Sequence, residues 1–126
     1  MTFQSLNKLF FDRAEQYNEK PFLWVKKNKE WISLNWNETS LKVKEFAGGL
    51  RSLGIKPGDK VVIVSENRPE WIIADLAINL IGAITVPAYT TNTEDDHHYI
   101  LEHSDAKAVI ASNNILANRV ALATTR

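Results

Sequence analysis

Eighteen consecutive residues, Gly54-Ile55-Lys56-Pro57-Gly58-Asp59-Lys60-Val61-Val62-Ile63-Val64-Ser65-Glu66-Asn67-Arg68-Pro69-Glu70-Trp71, hold a helix stop, a tight turn, a buried strand and a helix start. Gly54 supplies the left-handed backbone conformation that ends a helix at little steric cost. Pro57-Gly58-Asp59 joins a fixed proline φ, a permissive glycine and a side-chain acceptor, the ingredients of a tight turn. Val61 to Val64 is unbroken, apolar and β-branched, the pattern of a strand covered on both faces in a parallel sheet. Asn67-Arg68-Pro69-Glu70 offers a cap candidate at Asn67, proline in the first turn and glutamate three residues after the asparagine, so a helix is expected to open there.

Ala83 to Val86 and Ala108 to Ala111 repeat the strand pattern more weakly. Parallel strands joined through helices require right-handed crossovers. The expected fold class is therefore α/β, with a mainly parallel sheet, flanking helices and an N-terminal hairpin. No internal repeat, low-complexity tract or linker divides the chain, so residues 1–126 are expected to form one domain or part of one.

The hairpin expectation comes from Phe22 to Val25 and Trp31 to Leu34, two apolar runs around the polar turn Lys26 to Glu30, with Pro21 forcing an extended entry. Before it, Leu6, Leu9, Phe10 and Ala14 recur at helical spacing and predict an amphipathic helix ending near Tyr17-Asn18. After it, Asn35-Trp36-Asn37-Glu38 reads as a capping box for a helix that buries Val43, Phe46, Ala47, Leu50 and Leu53. The segment Trp71 to Ile81 is apolar almost all round, with Asp75 and Asn79 as a narrow polar stripe, and is expected to be buried on most sides. Thr93 should cap a helix through about Ser104, with Glu94, Asp95 and Asp96 favourable against its dipole. Asn113 or Asn114 should cap a last helix.

Fifteen lysines and arginines balance fifteen aspartates and glutamates, which gives no electrostatic case for nucleic acid or for an anionic membrane surface beyond a local patch. Lys26-Lys27-Asn28-Lys29 is that patch, and solubilising charge in a turn is the simpler reading. The absence of cysteine removes disulfides, thiolate nucleophiles and cysteine zinc sites, and fits the cytoplasm. The segment Met1 to Lys8 lacks the basic start and apolar core of a signal peptide, and no run is long enough to span a bilayer.

Three segments are candidates for chemistry. Asp95, His98 and Glu102 fall on one helical face, with His97 and His103 nearby, and imidazole with carboxylates on adjacent turns can bind zinc or run acid–base steps. The macrodipole explains the same acids and histidines as a solvated face. Tyr89-Thr90-Thr91-Asn92-Thr93 follows a strand's C-terminal end, where open α/β sheets place their ligands, but is also what a loop into a helix cap should contain. Gly48-Gly49 lies inside a helix rather than after a strand, so close helix–sheet packing is preferred there over a phosphate-binding role.

These segments in order, together with Gly82-Ala83-Ile84-Thr85-Val86-Pro87-Ala88, resemble the N-terminal subdomain of AMP-forming acyl-CoA synthetases over nearly the whole chain. Asn67 to Trp71 and Ala88 to Thr93 look most like the long-chain fatty acid CoA ligase branch. The resemblance implies a partial AMP-binding (adenylation) domain. It also implies a two-step reaction: a carboxylate attacks the α-phosphate of ATP with magnesium, giving an acyl-adenylate and pyrophosphate, then coenzyme A displaces AMP to form a thioester. The family's phosphate loop, acidic nucleotide segment and C-terminal lysine have no counterpart in residues 1–126. No catalytic, cofactor-binding or metal residue is therefore assigned, and the isolated chain is expected not to ligate. The alternative expectation is a standalone α/β interaction module that self-associates, or pairs with a synthetase, through exposed apolar surface such as the Trp71 to Ile81 helix.

Overall fold

A computed structural model describes residues 5–125. Residues 1–4, the start of the Met1 to Lys8 segment, lie outside the described residues. The elements run α1 (Leu6–Tyr17), β1 (Pro21–Lys27), β2 (Glu30–Asn35), α2 (Trp36–Ser52), β3 (Lys60–Val64), α3 (Pro69–Leu80), β4 (Ile84–Ala88), α4 (Glu94–Ser104), β5 (Ala108–Ala111) and α5 (Asn114–Thr124). β1 and β2 form an antiparallel hairpin, and the other strands form a parallel sheet in the order β4-β3-β5. The α/β class and the parallel sheet are as expected from the sequence.

β3 is central because its side chains serve two cores. Val61 and Ile63 point to a core built with α1, α2 and α3, including Phe10, Val43, Ala47, Leu50, Ile73 and Ala77. Val62 and Val64 point the other way, to Leu116 and Val120 of α5 and to Ile100 and Leu101 of α4. This alternation explains the unbroken apolar run, since none of Val61 to Val64 faces water. The chain leaves β3 for β4 through α3 and crosses back to β5 through α4. Right-handed crossovers in opposite directions place those helices on opposite faces of the sheet.

The turn before β3 closes as its residues require. Gly54 and Gly58 hold φ of 91° and 87°. The Asp59 carboxylate accepts from the Lys56 N–H at 2.8 Å, and the Gly58 N–H donates to the Gly82 carbonyl at 2.9 Å. The hairpin turn is tighter than expected. Strand pairing extends to Lys27 and Glu30, leaving Asn28 and Lys29 as a two-residue loop with φ of 50° and 67°. Positive φ at both positions matches the right-handed twist of the strands. At the hairpin's base, Phe22 stacks on Trp36 at 3.9 Å between centroids, with Phe10 and Tyr17 against the same indole.

Four expectations need correction. Leu6, Leu9 and Leu53 are exposed rather than buried, because each sits at the solvent side or end of its helix, while Thr39 and Ser40 are buried instead. The hydroxyls of Thr39 and Ser40 donate to the carbonyls of Asn35 and Asn37. Asn67 does not cap α3. Arg68 occupies the N-cap without a side-chain cap bond, and Pro69 begins the helix, where its missing N–H is no loss. Gly48 and Gly49 are not packing glycines, since a Cβ built on either meets nothing within 4 Å. Finally, α3 is buried on most sides as expected, but by partners inside the chain, so it is not the exposed apolar surface that the alternative reading invoked: Ile73, Ala74, Leu76, Ala77 and Ile78 are buried, and only Ile72 and Leu80 among its large apolar side chains are exposed. The expected side-chain caps at Asn35, Thr93 and Asn113 form, but at Asn35 the bond found is the one from the Glu38 N–H, and the full reciprocal box is made at Thr93 instead.

Candidate functional site

All three parallel strands end on the same side of the molecule, so the loops beginning at Ser65, Tyr89 and Ser112 share one rim. β3 lies beside β5, and their following helices leave to opposite faces. That is a topological switch point, the place where open α/β sheets form a ligand crevice. Val64 pairs with Ala111, so Ser65 and Ser112 enter the crevice side by side.

Four side chains tie this crevice together. Ser112 donates its hydroxyl to Glu66 Oε2 at 2.8 Å, across forty-six positions of sequence. Arg68 donates Nη1 to Glu66 Oε1 and Nε to Glu70 Oε2, each at 2.9 Å. The cleft beneath them is lined by Phe46, Ile63, Trp71, Ala74 and Ile110. A backbone N–H, the Ser112 hydroxyl and Arg68 hold the Glu66 carboxyl below the usual glutamate range. Burial pushes the Glu70 carboxyl up, but hydrogen bonds and the Arg68 charge outweigh it, and the group lies below its ordinary value. Arg68 is held above its ordinary value first by Glu70 and then by Glu66. The crevice is thus a closed acid–guanidinium–acid–hydroxyl chain.

The loop Tyr89 to Thr93 sits at the end of β4 as expected, and it is fastened from a distance. Arg119 of α5 donates Nη1 to the carbonyls of Thr90 and Asn92 at 3.0 and 3.2 Å. Thr93 and Asp96 complete a reciprocal capping box. The sequence does not mark Arg119, because its partners lie on a loop before α4.

The histidine cluster does not assemble. His98 Nε2 stands 3.5 Å from Glu102, but its Nδ1 lies 3.1 Å from the Ala123 carbonyl, so the ring serves the α4–α5 contact. His103 stacks on Tyr99 with the rings 7° apart. His97 faces inward, 2 % exposed, and its Nε2 has no hydrogen-bond partner. Burial lowers its pKa first, the Arg119 charge lowers it further, and Asp96 opposes both. Among the described residues no group of three or more His, Asp or Glu could hold a metal ion.

Residues 10–125 match the family model described as "AMP-binding enzyme". The chain belongs to the AMP-binding enzyme family. Among its relatives is the long-chain-fatty-acid–CoA ligase FadD15 of Mycobacterium tuberculosis, 38 % identical over 72 % of this chain and 15 % of the relative. The ligase ACSBG2 of Gallus gallus is 29 % identical over 94 % of this chain and 16 % of the relative. A benzoate CoA ligase from Burkholderia xenovorans superposes with a TM-score of 0.85 at 26 % identity, over 98 % of this chain and 24 % of that one. The fold is therefore that of the N-terminal region of adenylate-forming ligases, and the chain spans about a sixth of the length of these curated relatives.

Full-length members of the AMP-binding family imply ATP, magnesium and coenzyme A. The described residues do not fit a metal–triphosphate. Arg68 is already matched by two carboxylates, Glu66 presents negative charge at the strand end, and no metal-holding cluster exists among the described residues. Among the described residues no helix is long and apolar enough to cross a membrane.

Proposed function

We propose that this chain builds the N-terminal part of an ATP-dependent fatty acid CoA ligase, which forms an acyl-adenylate and then an acyl-CoA thioester. In this reading residues 1–126 are the N-terminal subdomain of an adenylation domain, and they scaffold rather than catalyse. The supporting observation is the superposition of nearly the whole chain on about a quarter of a CoA ligase. The names of the relatives above support long-chain fatty acids as the acyl substrate, and the lack of cysteine supports a cytoplasmic setting. The crevice fits scaffolding, because its one guanidinium is already matched by two carboxylates, which leaves a net negative charge unsuited to a phosphate.

The test combines two measurements. An antibody against this segment is expected to detect a band several-fold larger than 14.3 kDa in cell extract. The purified larger protein should exchange labelled pyrophosphate into ATP when given a long-chain fatty acid, whereas the 126-residue chain should not. A native product of 14.3 kDa, or exchange by the short chain alone, would overturn the reading.

A further inference from the structure

Two of the four tryptophans are packed, and two are not. Trp36 and Trp71 lie against the core, whereas Trp24 and Trp31 are 54 % and 64 % exposed. The pairing explains why they act together. Trp24 pairs with Ser33 and Lys26 with Trp31, so Trp24, Lys26 and Trp31 share one face of the hairpin, with the two indoles diagonal neighbours. Lys26 Nζ stands 6.0 Å from the centre of the Trp31 ring. Ile32, on the opposite face, is 47 % exposed, so the distal half of the hairpin projects from the body with apolar side chains on both faces. Beside its foot a groove runs between Leu23, Trp24, Pro69, Trp71 and Ile72.

The charge around these indoles selects the partner. Lys26, Lys27 and Lys29 carry three positive charges at the tip against one from Glu30, on a chain whose formal net charge is zero. At the hairpin's foot, Glu66 and Glu70 outnumber Arg68 and leave one negative charge, so the positive charge is confined to the tip. An exposed apolar patch calls for a partner, and indole rings beside snorkelling lysines suit the boundary between lipid headgroups and acyl chains. A protein partner would be expected to leave fewer lysines at the centre of its contact, since lysine is depleted there. We propose that the β1–β2 hairpin is a peripheral membrane anchor, in which Trp24 and Trp31 enter an anionic lipid surface and Lys26 and Lys29 pair with its headgroups. Membrane binding requires no catalysis, so its failure and the failure of the ligase reading are read by different assays.

The test is sedimentation of the full chain with vesicles of phosphatidylglycerol and phosphatidylcholine at low salt, with pure phosphatidylcholine vesicles as the reference. The chain is expected to sediment with the anionic vesicles and to be released by high salt. Trp24→Ser with Trp31→Ser should weaken binding by about tenfold or more, because the apolar insertion is lost. Lys26→Gln and Lys29→Gln should each cost about fivefold, the value of one lysine near an anionic surface. Circular dichroism verifies that each exposed substitution leaves the fold intact. Failure of the parent chain to sediment, or unchanged binding by the tryptophan double variant, would overturn the proposal. So would a parent mass in light scattering twice that of the double variant, which would make this face an interface between two copies.

Discussion

Gly48 and Gly49 lie in the interior of α2, exposed, with open space where a Cβ would stand. Each glycine costs a helix interior roughly 0.8–1.0 kcal/mol relative to alanine, mostly as backbone entropy. Gly48→Ala with Gly49→Ala should therefore stabilise the fold by about 1.5–2 kcal/mol, since no neighbour has to move. With a urea m-value of about 1–3 kcal/mol/M, the midpoint should rise by roughly 1 M. Gly82 is the internal control. Its φ is 78° and a Cβ there would lie 3.3 Å from the Pro57 Cβ, so Gly82→Ala should destabilise by about 1–2 kcal/mol. Urea unfolding followed by far-UV circular dichroism reads both. A lowered midpoint for the double alanine variant would restore close packing as the reason for these glycines, since an added methyl in a packed contact costs about 1–3 kcal/mol.

His97 should make stability pH-dependent in a window of its own. Its folded pKa is depressed below the unfolded value near 6.5, so below that pH the unfolded chain binds the extra proton and stability falls as pH drops. The limiting slope is about 1.4 kcal/mol per pH unit, and it sets in above the range where Glu66, Glu70 and Asp96, also depressed from 4.5, 4.5 and 3.8, begin to contribute. Urea midpoints between pH 8 and pH 5 should show this slope in the parent and not in His97→Leu; equal slopes would discard the assignment. Arg119→Met keeps the side-chain stem but removes two charge-assisted bonds to the Tyr89–Thr93 loop, at a cost of about 2 kcal/mol. Hydrogen exchange at Thr91 should then accelerate more than at Val62, and the pH slope should shrink because one cause of the depressed His97 pKa is gone.

Local chemistry makes most of the fold legible in the sequence. Caps at Asn35, Thr93 and Asn113 need only residues three positions away, and the Gly54 and Gly58 turns need only their own φ. Errors arose where a neighbour decides. Leu53 repeats the helical spacing of Leu50, yet it sits one residue beyond the last turn of α2, where the chain swings away from the core. The Gly48–Gly49 pair has a sequence that fits either close approach or plain exposure, and only the space around it separates the two. The apolar surround of α3 was legible, but its partners were already in hand as α2 and β3.

The candidate site was less legible because its links cross the sheet. A sequence that marks β3, β4 and β5 as strands does not state that β5 lies beside β3, and without that order Ser112 and Glu66 are unrelated. The usable signal is weaker: β3 and β5, though not β4, are each followed directly by a serine, at 65 and at 112, and serine after a buried strand is a hydroxyl delivered to the sheet's rim. The same reasoning separates the three histidines. A helix that packs on β4 and α5 must turn one side inward, and the register that buries His97 carries His98 to the α5 end and His103 to the surface. A cluster of ionisable residues close in sequence is therefore dispersed by helix geometry, while a hydroxyl and a carboxylate far apart, Ser112 and Glu66, are brought together by strand order. In a parallel sheet it is the second effect that builds a polar site.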